Sequence, residues 1–229
     1  MMQQFIVEVK NISKTFKKQC IFHAVSFSLE KGKAYGFIGH NGCGKSILFK
    51  ILSGFLSPDS GEIKVFGQTL GKEIDFPKNT GIMIETPHFL DDYSGFKNLR
   101  YLAAIQNKIN DATIKSTLEK VGLNPESRQP VKKYSLGMKQ KLGIAQAIME
   151  DPDLLILDEP FNGLDKTSVR EIRTLLLELK NKGVTILLTS HMSKDIELIC
   201  DEVLEFNNKK LEKMNVTKFS NRDEDVLPI

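Results

Sequence analysis

Apolar and polar residues alternate along the first part of the chain, as they do in half-buried β-strands. The segments FIVEVKNISKTF and AVSFSLEKG predict two strands, and EIKVFG predicts another further on. KAYGFIG is almost continuously apolar and runs into a glycine-rich turn, which is typical of a short buried strand. After that turn the spacing becomes helical, and we expect this helix to end at Pro58. Its predicted apolar stripe consists of Ile47, Leu48, Ile51, Leu52 and Phe55.

The middle of the chain, from about Phe89 to Glu150, is helical in pattern throughout. LLILD and VTILLTSH follow as apolar strands, with a predicted helix over about 166–181 between them. Continuous apolar strands joined by a helix indicate a parallel sheet that is covered on both faces. The helical stripes of the middle segment are Leu99, Leu102 and Ile105, then Ile114, Leu118 and Val121, then Leu142, Ala145 and Ile148; that of the later helix is Val169, Ile172, Leu176 and Leu179.

These patterns predict one α/β domain with an inserted helical part. We expect residues 1–86 and 151–215 to form the core and residues 87–150 to form a helical subdomain. DEVLEFNNKKLEKM predicts a closing hairpin around Asn207 and Asn208, and we expect 216–229 to be a loose tail.

Composition excludes several kinds of protein. The net charge of +3 is spread along the chain, so it does not indicate a nucleic-acid partner. Cys20, Cys43 and Cys200 stand far apart without metal-ligand spacing, which favours a reduced cytosolic protein. The N-terminal MMQQFIVEVK lacks the apolar region of a signal peptide, and no apolar run approaches the ~18 residues of a membrane span. If the protein works at a membrane, we expect another protein to hold it there.

The segment GHNGCGKS, which we call the phosphate loop, matches G-x-x-x-x-G-K-[ST] between a predicted strand and a predicted helix. Glycines let the backbone turn so that successive N–H groups point at phosphate oxygens. Lys45 would reach the β- and γ-phosphates, and the Ser46 hydroxyl would ligate Mg²⁺. We expect Cys43 to be a reactive thiolate, because a helix N-terminus and an ammonium group lie nearby. The predicted nucleotide-binding residues here are Gly39, His40, Asn41, Gly42, Cys43, Gly44, Lys45, Ser46 and Ile47.

LLILDEP supplies a second element of nucleotide chemistry. Asp158 follows a buried strand, at the end where ligands bind in open α/β sheets. We expect Asp158 to hold Mg²⁺ through water and Glu159 to accept a proton from the attacking water. Alone, an apolar strand ending in Asp-Glu is usually only a strand end. Combined with the phosphate loop, it predicts hydrolysis of a nucleotide.

YSLGMKQ, residues 134–140, opens the last helix of the middle segment with Ser135 at the N-cap position. The free N–H groups of such a helix start can bind an anion. In isolation, the simpler interpretation is an ordinary core helix.

Together with the two nucleotide motifs, this segment resembles the LSGGQ signature of the ATP-binding-cassette (ABC) ATPases. Leu136 replaces the first glycine of that signature and Met138 replaces the glutamine. This variant is similar to that of bacitracin- and lantibiotic-type export ATPases, and the resemblance covers the chain from Phe5 to about Leu211. It implies a P-loop NTPase core with a mainly parallel sheet, an N-terminal antiparallel β subdomain and an inserted helical subdomain.

The resemblance also implies ATP and Mg²⁺ as cofactors and a head-to-tail dimer, formed with a second copy or a related cassette. In such a dimer, Ser135 and Gly137 of one subunit complete the site around the ATP on the Lys45 loop of the other. An integral membrane permease would be the other partner and would hold the ATPase on the cytoplasmic face of the membrane. Its short cytoplasmic helix would dock in a groove between Glu85 and the helical subdomain, with FLDDYSGFKNL on the rim of the groove.

Four single residues match family positions, each with a plainer alternative. Phe16 would stack on adenine, although a Phe beside a strand is often part of a core. Asp165 would be the carboxylate of the loop that crosses the dimer interface, or the N-cap of the next helix, or both. His191 would contact the γ-phosphate, although a lone His is usually structural. Glu85 stands where the family usually has a Mg²⁺-sensing Gln and would serve as a metal ligand; the alternative is a solvent-facing Glu before a turn.

Other functional classes are less well supported. A soluble ABC ATPase acting on DNA would carry long coiled coils between the nucleotide motifs, and a ribosomal one would carry two cassettes. A non-hydrolysing regulatory cassette is disfavoured because the Lys45, Asp158, Glu159 and His191 set is complete. The signature variant suggests export of an antibiotic or antimicrobial peptide, which is an argument by analogy.

Overall fold

The structure, a computed structural model, describes residues 5–85 and 87–215. The tail expected at 216–229 and the first four residues of the chain lie outside this range.

Two β-sheets form within the described residues. The first is antiparallel, in the order β2-β1-β4-β5, and the second has the order β10-β9-β3-β8-β7-β6. In the second sheet β9, β3, β8, β7 and β6 run parallel, and β10 pairs antiparallel with β9 at one edge. The predicted combination of a mainly parallel sheet with an N-terminal antiparallel sheet is confirmed. The strands are β1 (Phe5–Phe16), β2 (Gln19–Glu30), β3 (Ala34–Ile38), β4 (Ser60–Val65), β5 (Gln68–Thr69), β6 (Thr80–Met83), β7 (Leu154–Leu157), β8 (Thr185–Thr189), β9 (Glu202–Asn207) and β10 (Lys210–Asn215).

Three helices lie between β6 and β7 in the chain, where the periodicity predicts helices. The side chains of Ser94, Asn110 and Ser135 accept a hydrogen bond from the first turn of each, which fixes where each helix begins. The helix expected over 166–181 has those same bounds. The helices are α1 (Lys45–Leu52), α2 (Gly95–Gln106), α3 (Asp111–Lys120), α4 (Leu136–Ile148), α5 (Lys166–Asn181) and α6 (Ser193–Ile199).

The parallel sheet is buried on both faces. Successive residues of β7 show this, because side chains of a strand point alternately to opposite faces. Leu155 and Leu157 belong to a cluster with residues of α4 and α5, whereas Leu154 and Ile156 pack with residues of β1 and α1. All four side chains are fully buried. Their burial explains why LLIL reads as a continuous apolar run rather than an alternating one.

Two predicted apolar positions are wrong. Phe55 does not extend the stripe of α1, because the helix ends at Leu52 and Gly54 turns the chain at φ +79°. Phe55 is 59% exposed, and Ile105, expected on the inner stripe of α2, is 79% exposed. Both side chains line an open groove between the edge of the parallel sheet and the helical segment.

Some elements carry too weak a pattern to be predicted. β6 has only four residues and contains Gly81, whose missing side chain leaves room for the backbone of α4: a Cβ there would collide with the Ala147 carbonyl oxygen. α6 has seven residues, too few for a clear period. The closing hairpin turns at Asn208 and Lys209, both at positive φ, one residue later than expected. In the part of the chain that the structure describes, no helix has the length and apolarity to cross a membrane.

Candidate functional site

The carboxyl ends of β3, β8, β7 and β6 lie side by side at one edge of the parallel sheet. The phosphate loop follows β3, and Asp158 and Glu159 follow β7. His191 lies just beyond β8, which pairs with both of those strands, and Glu85 lies just beyond β6. The sheet order therefore brings together four segments that are widely separated in sequence, at the edge where ligands bind in such folds.

The phosphate loop depends on glycine backbone conformations. Gly39 and Gly44 have φ of +145° and +113°, which side-chain-bearing residues rarely adopt. A Cβ at Gly39 would lie only 2.8 Å from Cys43 Sγ. The Lys45 ammonium donates to the carbonyl oxygens of Gly39 at 2.7 Å and His40 at 3.3 Å. The loop therefore curls around its own lysine and holds that cation at the start of α1.

The N-terminus of α1 differs from those of α2 to α5. Each of those four helices has a capping side chain, whereas the cap position of α1 is Gly44, which has none. Uncapped N–H groups beside a lysine ammonium suit a phosphate group, because they supply donors and positive charge together. The residues present therefore fit a nucleotide phosphate.

The expectation of a reactive Cys43 thiolate is wrong. Cys43 is 9% exposed and packs into the core beneath the loop. Burial raises the pKa of its thiol, and this outweighs the opposing effect of the Lys45 charge. The sequence shows the neighbouring Lys45 charge but does not show that Cys43 is buried.

The hydroxyl group of Thr189 holds both Asp158 and Glu159 in place. Neither motif predicts this contact. Thr189 Oγ1 donates to Asp158 Oδ1 at 2.7 Å and accepts from the Glu159 backbone N–H at 2.8 Å. Asp158 is buried, at 6% exposed. Thr189 is the last residue of β8, so the pairing of β7 with β8 creates this contact. The sequence indicates Thr189 only as a polar residue at the end of a buried strand.

Glu159 and His191, predicted separately, are in direct contact. The His191 backbone N–H donates to Glu159 Oε2 at 3.2 Å, and His191 Nε2 lies 3.3 Å from Oε1. Burial raises the pKa of Glu159 and the Asp158 carboxylate adds to this, while the charges of His191 and Lys45 oppose it. Among the described residues, buried Oε1 has no hydrogen-bond partner unless His191 carries a proton on Nε2. It can accept a proton or a water O–H, as a general base requires.

The signature segment begins α4 and packs on the loop after Glu159. Ser135 Oγ accepts from the Met138 backbone N–H at 3.2 Å, so the predicted cap forms. A Cβ at Gly137 would lie 2.9 Å from the Gly163 carbonyl oxygen. A Cβ at Gly163 would in turn lie 2.5 Å from Leu136 Cδ2. The two segments therefore fit closely only because both positions are glycine.

Asp165 forms the N-cap that was one of its predicted roles, whereas its role at a dimer interface and the stacking of Phe16 on adenine stay predictions. Asp165 caps α5, and its carboxylate accepts from the Thr167 and Ser168 N–H groups and from the Ser168 hydroxyl. The hydrogen bonds from Ser168 chiefly lower the pKa of Asp165. Phe16 ends β1 and is 41% exposed, with the Lys14 ammonium 5.1 Å from its ring centroid. An exposed ring leaves a face free for stacking.

Glu85 is paired with a cation of α1. Its Oε1 lies 2.5 Å from Lys50 Nζ, and its side chain is 62% exposed. Both residues line a groove of about 1180 Å³ between the sheet edge and the helical segment. Exposed Phe55, Phe76 and Ile105 add apolar surface to this groove. The groove lies between Glu85 and the helical segment, as predicted, but its lining does not include residues 89–99, which were expected on the rim.

Comparison with known proteins identifies the family. A family model for ABC transporters matches residues 22–162, more than half of the chain. The chain belongs to the ABC transporter ATP-binding family. It is 36% identical to the bacitracin transport ATP-binding protein BcrA of Enterococcus faecalis, over 97% of this chain and 73% of that protein. It is 38% identical to the lantibiotic transport ATP-binding protein SrtF of Streptococcus pyogenes, over 86% of this chain and 84% of that protein.

A solved ABC ATPase has the same architecture. The structure described as the ATP-binding subunit of an ABC transporter superposes with a TM-score of 0.83 at 30% identity, covering 95% of each chain. The resemblance to ABC ATPases of the bacitracin and lantibiotic branch is therefore confirmed, as is the ABC ATPase fold.

Proposed function

We propose that this protein is the ATP-binding and ATP-hydrolysing subunit of an ABC transporter and drives a separate membrane-spanning partner. One observation carries the hydrolytic part of the proposal. Glu159 follows β7 directly after Asp158, its carboxylate with the buried Oε1 contacts His191, and the Lys45 loop follows β3, which is separated from β7 by β8 alone. Membership of the ABC family supports the coupling to transport.

In this proposal the nucleotide is held by the phosphate loop and by Phe16. The loop N–H groups and the Lys45 ammonium bind the phosphates, and the exposed Phe16 ring stacks on adenine. Ser46 would ligate Mg²⁺ directly and Asp158 would hold it through water; Glu85 would be a further ligand if it released Lys50, with which it is paired here. The metal, when bound, neutralises charge on the phosphate oxygens. The remaining proposed loop contacts are Gly39, His40, Asn41, Gly42, Cys43, Gly44 and Ile47.

Glu159 accepts the proton of the water that attacks the γ-phosphate, and the His191 side chain contacts that phosphate. The raised pKa of Glu159 suits a base, because basicity increases with pKa as long as the carboxylate stays ionised at the working pH. Thr189 holds the backbone of Glu159 through its hydroxyl. The chain thus supplies base, cation and metal ligands from adjacent strands.

The second subunit completes each site. We place Ser135 and Gly137 of one subunit on the ATP of the other, in a head-to-tail homodimer or a pair with a related cassette, with Asp165 at the interface. Leu136 is 58% exposed beside these residues, which fits a surface that a second subunit covers. The proposed partners of this protein are a second ATP-binding subunit and a permease, and they do not include a nucleic acid.

The groove lined by Glu85 and Lys50 is the proposed docking site for a short cytoplasmic helix of the permease. Its exposed apolar residues, Phe55, Phe76 and Ile105, suit the apolar face of an amphipathic helix. In this arrangement residues 1–86 and 151–215 bind and hydrolyse ATP, and 87–150 pass the motion to the permease. The permease would hold the protein at the cytoplasmic face of the membrane.

The relatives' names suggest what is moved. Since BcrA and SrtF are named for bacitracin and lantibiotic transport, we propose export of an antibiotic or antimicrobial peptide. A soluble ABC ATPase acting on DNA or ribosomes is the alternative.

Two measurements on the full chain test this function. Phosphate release from MgATP should be abolished by Lys45→Ala, and an unchanged rate would contradict the proposed site. Affinity purification from detergent-solubilised membranes of the native cells should recover a multi-span membrane protein. Ile105→Glu should weaken that recovery while leaving phosphate release unchanged, because Ile105 lies in the groove and away from the phosphate loop. Recovery of ribosomes or DNA in its place would favour the alternative.

A further inference from the structure

Gln140 is a buried polar residue on α4 with a specific partner. Its side chain is only 6% exposed, and Nε2 donates to the backbone carbonyl oxygen of Glu159 at 2.8 Å. Buried amides are hydrogen-bonded because an unsatisfied one is costly. The partner here is the residue that the proposed function makes the general base.

The backbone of Glu159 needs such support. Glu159 has φ +51°, a left-handed conformation that is unfavourable for a residue with a side chain. Two side chains hold its peptide groups: Thr189 binds the N–H, and Gln140 binds the carbonyl oxygen. Without the Gln140 amide, the Glu159 carbonyl oxygen loses its hydrogen bond, and the Glu159 carboxylate can then leave its position beside His191.

The helix that carries Gln140 also carries the signature residues. α4 begins at Leu136, capped by Ser135, and Gln140 lies little more than one helical turn further on. The start of the same helix packs on the loop after Glu159, through Leu136 and Gly137 against Gly163. A shift of α4 therefore reaches Glu159 directly within one chain.

We propose that Gln140 is a positioning residue that ties the general base Glu159 to the signature helix of its own subunit. This inference rests on the proposed function, in which the start of that helix covers the ATP of the other subunit. The hydrogen bond lies within one chain, so Gln140 serves the base of its own subunit's site.

The first test separates positioning from folding. Gln140→Met fills a similar volume but cannot donate, so turnover at saturating MgATP should fall about 10²-fold, the effect of a small misplacement of a catalytic group. ATP affinity should stay within a factor of two or so, because the phosphate loop is untouched. Gln129→Met is the matched control, since Gln129 also donates its amide to a backbone carbonyl, that of Lys133, but away from Glu159. Should Gln140→Met not fold, Gln140→Asn is the second variant. It keeps an amide group, but its side chain is one methylene shorter, so the hydrogen bond to the Glu159 carbonyl oxygen is lost. Normal turnover in a folded variant would overturn the proposal, as would an equal loss in Gln129→Met.

The second test asks which site Gln140 serves, using mixtures of variant subunits. Mixed with Ser135→Arg, Gln140→Met should recover activity above the sum of the two alone, because one site keeps an intact base and an intact signature. Mixed with Lys45→Ala, it should not recover, because the intact phosphate loop and the misplaced base then share a chain. Recovery with Lys45→Ala, or none with either partner, would overturn a role at the subunit's own site.

A third mixture distinguishes this inference from the proposed function. Ser135→Arg mixed with Lys45→Ala contains no change at Gln140 and should recover activity in a head-to-tail dimer. Failure of this mixture would contradict the dimer itself. The comparison of turnover between Gln140→Met and Gln129→Met would then still decide whether Gln140 positions Glu159.

Discussion

The backbone N–H of His191 donates a hydrogen bond to Glu159 Oε2 at 3.2 Å, and the imidazole Nε2 of the same residue lies 3.3 Å from Oε1. One residue therefore contacts both oxygens of the proposed base with two different groups. The backbone group stays in place whatever side chain is present, so the two contributions can be separated by substitution.

His191→Ala should lower the turnover number by about 10²–10³-fold, within the usual range for a group that acts in the transition state. Its ATP affinity should be close to normal, because the phosphate loop is unaffected and the main-chain bond to Glu159 remains. Phosphate release at saturating ATP and equilibrium binding of a fluorescent ATP analogue measure the two quantities. A large loss of affinity with normal turnover would show that His191 serves binding instead.

Cys43 should be the slower of two cysteines to alkylate. Burial raises the pKa of its thiol, so little thiolate is present at neutral pH, whereas Cys20 is half-exposed. Labelling of Cys43 by N-ethylmaleimide should accelerate roughly tenfold per pH unit below that pKa, because the thiolate is the reacting form. Peptide mass spectrometry of partly labelled, nucleotide-free protein gives both rates, and Cys43→Ala provides the assignment. Faster labelling of Cys43 than of Cys20 at pH 7 would contradict its placement beneath the loop.

Asp165→Asn should lower the melting temperature by an amount that is the same from pH 5 to pH 8. The hydrogen bonds to its carboxylate lower the pKa of Asp165, so the stabilising ionised form is fully present above the ordinary Asp range. It is lost only as pH falls through the lowered pKa, below that window. Differential scanning calorimetry at several pH values measures the difference. A difference that shrinks between pH 7 and pH 5 would mean that the carboxylate does not cap α5 in its ionised form.

Gly163→Ala should destabilise the fold by about 1–2 kcal/mol, the cost of a left-handed backbone conformation in a residue with a Cβ. Gly163 has φ +74°, and the added Cβ would also lie 2.6 Å from Leu136 Cγ. The double variant Leu136→Ala/Gly163→Ala relieves the collision but not the backbone strain, so the added alanine should cost less in that background. Urea denaturation of the four proteins in the cycle gives the comparison, and equal costs in both backgrounds would show that Leu136 does not limit the position.

The sequence predicts the parts of the site that are contiguous in the chain. The phosphate loop, the Asp158-Glu159 pair and the Ser135 helix cap each occupy a few consecutive residues, and strand or helix periodicity shows which element carries them. The order of these elements, with one family resemblance, is enough to predict the sheet and the inserted helices.

The sequence does not predict contacts that arise when distant segments meet. Thr189 and Gln140 hold Glu159 from β8 and α4, and nothing in either local segment points to Glu159. Burial is the other missing quantity. Cys43 lies two residues from Lys45 in sequence, but its burial in the core raises the pKa of its thiol. Ile105 has helical spacing, yet it lines an open groove.

Hydrolysis by Glu159→Gln tests the central claim most directly. The variant keeps the shape and the phosphate loop but cannot accept a proton, so phosphate release at saturating MgATP should fall roughly 10²–10⁴-fold. ATP binding should be unchanged, and dimers with ATP bound should accumulate in light scattering after size exclusion. Phosphate release at the wild-type rate would show that Glu159 is not the base and would contradict the site as assigned.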